Sequence, residues 1–168
     1  VARRTTEPAI VIAADTVVCF DFENPEGSPG ASPTATLLGK PADPDDAKRM
    51  LRTLSGREHQ VLTGLAVGRS DQEPLMRAET SCVRFRQLTD REIDQYVATG
   101  EPLDKAGAYA VQGDGGRFIN SVTGDLQNVI GLPMRLLIEM LREFYPEIEV
   151  PPLENSPEEL REQTSPTE

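Results

Sequence analysis

The sequence predicts an α/β domain, and three observations carry that expectation. Apolar, β-branched runs at 9–18, 59–67 and 79–88 have the length and pattern of strands. Segments with apolar residues at i, i+3, i+4, i+7 fall between and after them, each opened by helix-start chemistry. Strands alternating with helices build a sheet with helices packed on it. The 168 residues suffice for one domain and a tail; with 38% hydrophobic residues and no Trp, the core is expected from Val, Leu, Ile and Ala.

Pro8 to Ala14 leads into Asp15-Thr16-Val17-Val18, and the run reads as a buried strand. Residues 21–36 are rich in turn formers from Asp21 to Pro33 and are expected to form a long exposed loop. Asp43-Pro44-Asp45-Asp46 starts a helix: Asp43 can cap, Pro44 suits the first helical position, and the acids favour the positive end of the dipole. Ala47, Met50, Leu51 and Leu54 form its inner stripe and Gly56 its stop. His59–Val67 and Glu79–Leu88 are strands around the polar turn Gly68–Glu73. Thr89-Asp90-Arg91-Glu92 is a capping box opening a helix with Ile93, Tyr96 and Val97 inward and Gly100 at its end. Pro133 opens the last helix, with Leu136, Leu137, Met140, Leu141 and Phe144 as its apolar stripe. Residues 147–168 hold seven Glu, one Arg and four Pro, too little apolar surface to offset ordering. The folded domain is therefore expected over 1–146 and a disordered tail over 147–168.

Charge and composition exclude several functions. Seventeen basic against 28 acidic residues give −11, which makes the chain a poor binder of nucleic acid or anionic membrane. One small phosphorylated ligand needs only a local basic pocket. No run of 18 apolar residues is present, and the first residues have no apolar signal region, so a cytoplasmic location is expected. Cys19 and Cys82 suit a reducing compartment, and with the single histidine, His59, they do not make a structural zinc site. His59 reads as a structural hydrogen-bonder.

Three places carry candidate chemistry. Asp15 sits at the end of the first strand, where a carboxylate can hold a divalent cation, activate a water, or simply cap a turn. Lys40 and Lys105 lie in short glycine-bearing loops, Gly39-Lys40-Pro41 and Asp104-Lys105-Ala106-Gly107. Such lysines suit phosphate neutralisation, or are plain surface charges. The remaining lysine, Lys48, falls on a polar helix face. Gln112-Gly113-Asp114-Gly115-Gly116 is either a hairpin turn or a place where backbone N–H groups and the Gln112 amide meet a ligand.

Taken in order, these segments resemble the Maf family. The resemblance rests on Ile12–Val18, Gly39-Lys40-Pro41, Met50-Leu51 with Leu54–Gly64, Tyr96–Pro102 with Asp104–Tyr109, Gln112-Gly113 and Asn128–Pro133. It implies a mixed twisted sheet with flanking helices, as in the Maf and inosine triphosphatase folds, and a cleft between two lobes. It also implies a nucleoside triphosphate pyrophosphatase that uses Mg²⁺ or Mn²⁺ to clear non-standard nucleotides, in a homodimer. By that resemblance Asp15 is the catalytic and metal-binding carboxylate, Thr16 and Gln112 are specificity positions, and Lys40 and Lys105 line the site. Ala14-Asp15-Thr16 with Asp104–Tyr109 is similar to the dTTP/UTP branch, with the 7-methyl-GTP branch as the alternative. The family also carries a Ser-x-Arg-Arg loop and a Glu ahead of this strand, whereas 14 residues precede Asp15 here. A nucleotide-binding module without turnover is the rival expectation.

Overall fold

A computed structural model of the protein describes residues 9–23, 34–69, 72–146 and 149. The centre of the expected loop, 24–33, and the expected tail other than residue 149 lie outside the described residues. The strands are β1 (Ile10–Glu23), β2 (Thr34–Leu38), β3 (Glu58–Arg69), β4 (Leu75–Phe85) and β5 (Ile119–Thr123). The helices are α1 (Pro44–Leu54), α2 (Asp90–Val97), α3 (Leu126–Ile130) and α4 (Met134–Phe144). Short 3-10 turns occupy Glu101–Asp104, Ala106–Ala108 and Asp114–Phe118.

The strands form one sheet in the order β2-β1-β3-β4-β5. The expected layering of helices on a sheet holds. The sheet itself departs from the expected mixed one, because every pairing among the described strands is antiparallel. Side chains alternate along a strand, so paired residues share a face. Val18 pairs with Val61, Thr16 with Thr63, and Ala14 with Leu65. On that face Val18 and Val61 enter one hydrophobic cluster with α1, α2 and Phe118. Leu65 and Val67 enter a second cluster with Leu136, Leu137 and Met140 of α4. The pair Thr16–Thr63 lies between the two as a polar seam.

The helices form where capping and periodicity place them. Asp43 accepts from the Asp46 amide at 2.8 Å, and Ala47, Met50, Leu51 and Leu54 are the buried residues of α1. Thr89 and Glu92 close the capping box of α2. Hydrogen bonds from Arg86 and from Thr89 bring the Glu92 carboxyl down to about 2. Lys48 of α1 pairs with Asp94 of α2 at 2.7 Å. In α4, Leu136, Leu137, Ile138 and Met140 are buried, whereas Leu141 and Phe144 are partly so.

Several expectations are corrected. The first strand is not buried throughout: Ile10 and Ile12 are 41% and 45% exposed, because the second cluster leaves that end of β1 uncovered. The segment 21–36 is not all loop, since β1 continues to Glu23 and β2 begins at Thr34, completing the antiparallel pair. The hairpin-turn reading of Gln112 to Gly116 is not met, because Ala108 to Val111 form no strand ahead of it, and β5 and α3 lie in a stretch without clear periodicity. Both cysteines are free.

Candidate functional site

A cleft of about 390 Å³ opens above the seam and brings together Asp15, Thr16, Lys40, Lys105 and Gln112. Its floor is β1 with Val61 of β3, and its walls are the 104–106 and 109–112 loops and the end of α3 at Val129–Gly131. Asp15 is exposed and lies mid-strand opposite Gly64, where the space a Cβ would occupy is open. Its Oδ1 accepts from the Thr16 amide at 3.0 Å. The strand-end address expected for Asp15 is therefore wrong. Neighbouring antiparallel strands end in opposite directions, so the rule for parallel sheets gives no site here.

Two loops deliver the lysines, and one hydrogen bond ties them together. The Gly107 amide donates to the Gly39 carbonyl at 3.0 Å, joining the backbone beside Lys40 to the backbone beside Lys105. Gly107 has φ +70 and packs so closely on β1 that a Cβ would stand 2.8 Å from Val18 Cγ2. Only glycine meets both demands without strain. The next residue, Ala108, holds φ 60 while fully buried, a conformation that costs energy in a non-glycine residue. Lys105 pairs with Asp104. That bond, with Lys40 nearby, holds the Asp104 carboxyl below its ordinary range. Lys40 is exposed and forms no ion pair among the described residues.

The glycine-rich stretch after Gln112 is built around a residue that sequence reasoning missed. Glu101 accepts from Tyr96 Oη at 2.8 Å and from the Asp114 and Gly115 amides at 3.1 and 3.2 Å. Burial works against its ionisation, but these hydrogen bonds outweigh that and keep its carboxyl below the usual range. A Cβ on Gly113 would collide with the Glu101 carboxylate. The glycines thus serve close packing, and two of the amides expected to face a ligand face Glu101 instead. Gln112 itself stays exposed on the cleft wall.

Buried polar groups support the floor. Thr16 Oγ1 lies 2.9 Å from Thr63 Oγ1, and Thr63 donates to the Asn128 carbonyl at 3.2 Å. His59 Nε2 meets Tyr109 Oη at 2.9 Å, which fixes the loop that carries Gln112. Burial lowers His59 to about 4 and raises the Tyr109 hydroxyl, so both are neutral near pH 7. Thr63, Asn128 and Glu101 were not candidates in the sequence; the one signal was a Thr at an inward position of an alternating strand.

The family description of Maf-like proteins matches residues 1–144. The chain belongs to the Maf family. It is 48% identical over 139 residues to a dTTP/UTP pyrophosphatase of Symbiobacterium thermophilum, covering 82% of this chain and 64% of that one. It is 47% identical over 143 residues to a dTTP/UTP pyrophosphatase of an Anaeromyxobacter species, covering 83% and 63%. A protein of the same name from Bacillus cytotoxicus is 42% identical over 140 residues, covering 83% and 66%. The Maf chain described here therefore spans just under two thirds of these relatives' length. Among its described residues no helix is long and apolar enough to cross a membrane.

Proposed function

We propose that the protein hydrolyses the pyrimidine nucleoside triphosphates dTTP and UTP to the monophosphate and pyrophosphate with the help of a divalent cation. The observation that carries this is one cleft holding a carboxylate, two lysines and an amide side chain. Phosphoanhydride hydrolysis asks chiefly for positioning and charge neutralisation. Lys40 and Lys105 stand where they can balance charge on a polyphosphate, and Lys105 would exchange its Asp104 partner for a phosphate oxygen. Asp15 would take the proton of the attacking water. Gln112 and Thr16 would meet the base edge, and the dTTP/UTP activity in the names of the relatives supports that assignment.

The donor set fits a hard divalent cation as a shared ligand. No cluster of three His, Cys, Asp or Glu side chains occurs among the described residues. Mg²⁺ keeps several waters and takes one or two carboxylates plus substrate phosphates, which Asp15 with a triphosphate supplies. Bound there, the cation would withdraw charge from the phosphates and lower the barrier to attack. The measurement is pyrophosphate release from dTTP with Mg²⁺ by wild type and Asp15→Asn. Asp15→Asn should lose well over tenfold in rate with an unchanged melting temperature. A loss under about tenfold, roughly 1.4 kcal/mol of barrier, removes Asp15 from the role.

A second reading is a nucleotide-binding module without turnover. It is favoured by the pairing of Asp104 with Lys105, which leaves Asp15 as the unpaired carboxylate of the cleft lining. Calorimetric binding of dTTP without pyrophosphate release would select it.

A further inference from the structure

One wall of the cleft is a loop that leaves a single place and returns to it. Asp104, Lys105, Tyr109, Val111 and Gln112 line the cleft, and all lie between Glu101 and Asp114. The Glu101 carboxylate accepts from the Asp114 amide, 13 residues on, and from the Gly115 amide, 14 residues on. It thereby closes the neck of the loop. Lys105 follows directly on the turn Glu101–Asp104, whose shape is set by bonds from the Leu103 amide to Gly100 and from the Lys105 amide to Pro102, both 3.2 Å. Gln112 stands just ahead of Asp114 at the other end. Glu101 itself lies outside the cleft lining.

The direction of the bonds at this neck is fixed. Tyr96 Oη accepts from the Ala110 amide at 3.2 Å and donates to Glu101 at 2.8 Å. An amide N–H cannot accept and an ionised carboxylate cannot donate, so only one arrangement is open. Tyr96 is wholly buried and packs edge-on against Phe118. The Val111–Gln112 tip is thus gripped on both sides, at Ala110 by Tyr96 and at Asp114 and Gly115 by Glu101. The bond from Tyr109 to His59 holds the loop short of that tip. The fit is close: a Cβ on Gly115 would stand 2.6 Å from Tyr96 Oη.

We propose that Glu101 is a positioning residue: by clasping Tyr96 and the Asp114 and Gly115 amides it fixes the separation of Lys105 and Gln112, so that both ends of one nucleotide are held at once. This role rests on the reading of the cleft as a nucleoside triphosphate site. Two contacts on one ligand reinforce each other when their separation is set in advance; otherwise the cost of ordering the wall offsets the second contact. Loosening the neck therefore weakens the grip on a whole nucleotide and spares the grip on phosphates alone.

The test compares dissociation constants, with Mg²⁺, of inorganic pyrophosphate and of a dTTP analogue with a methylene group in place of the oxygen between the α- and β-phosphates, which prevents turnover. Melting temperatures are taken alongside. Glu101→Gln sets an N–H group against one of the three donors. It should weaken the analogue by about tenfold and pyrophosphate by less than about twofold. Tyr96→Phe breaks the clasp from the core side and should show the same split; it decides the matter should Glu101→Gln fail to fold. A folded variant of either kind that keeps both constants, or weakens both ligands alike, overturns the positioning role and leaves the pyrophosphatase reading standing. A wild-type chain that binds neither ligand, or binds pyrophosphate as tightly as the analogue, defeats the contact between Gln112 and the nucleoside and the clasp with it.

Discussion

The two halves of β1 are built from similar residues and live in opposite surroundings. Val18, Cys19 and Phe20 are 2%, 4% and 6% exposed, whereas Ile10 and Ile12 are 41% and 45% exposed. Both halves pair with β3 as far as Cys19, but only the Val18 end also pairs with β2 on its other side. Cover differs as well. Met50, Leu51 and Leu54 of α1 and the Gly107 turn pack over the Val18 end. At the other end, α4 and Tyr145 cover Val67 but leave its partner Ile12 half in solvent. A β-branched run therefore says that a segment will pair, while its burial is decided by elements distant in sequence. The cleft lies at the boundary between the halves, where the floor changes from apolar core to the Thr16–Thr63 seam.

The comparison can be pushed from its heaviest consequence to its lightest. Phe20→Ala, in the covered half, should cost about 3–5 kcal/mol in urea unfolding, the usual range for removing a buried aromatic ring. A cost near zero would mean that the covered half is not a core at all. His59 stands at the same end of the sheet, with Nδ1 buried and unpartnered. Its folded value of about 4 lies below the ordinary 6.5 because burial opposes the charge. The unfolded chain then binds more protons between those values, so stability is intact above pH 6.5 and falls as the pH drops toward 4, by about 3 kcal/mol in all. His59→Gln should flatten that slope in a series of melting curves against pH.

Gly107→Ala should cost about 2–3 kcal/mol, from the left-handed φ and the contact with Val18. It should also weaken pyrophosphate binding, since both lysine loops share that residue's hydrogen bond. Equal stability of mutant and parent would show that the turn has room to move. Ile12→Thr, in the uncovered half, should change stability by less than about 0.5 kcal/mol. A cost above 2 kcal/mol would erase the contrast between the halves.

Much of the helical frame was legible because its signals are local. The Asp43-Pro44 start, the Thr89–Glu92 box and the stripe from Leu136 to Met140 each lie within a few residues. The antiparallel sheet was not, because pairing direction depends on which strands meet. β5 and α3 are five residues each, shorter than any window in which a period can be read. The residues gathered in the cleft were named from local glycine and charge chemistry and from family likeness. Their supports were hidden for a different reason. Glu101 acts on amides 13 and 14 residues away, and Thr63 on a carbonyl 65 residues away. Within the sequence Glu101 and Thr63 sit inside family-like segments with no local chemistry that assigns them these partners, and Thr63 shows only as a Thr at an inward position of an alternating strand.

The bond from the Gly107 amide to the Gly39 carbonyl has a use beyond support. Its proton can meet deuterium from solvent only when the two loops part. A chain of phosphates spanning Lys40 and Lys105 would draw the loops together and slow that exchange, while a nucleoside alone would leave it unchanged. One amide among all those of the domain is thus a built-in gauge, readable by mass or magnetic resonance, of whether the two positive charges are acting on the same molecule.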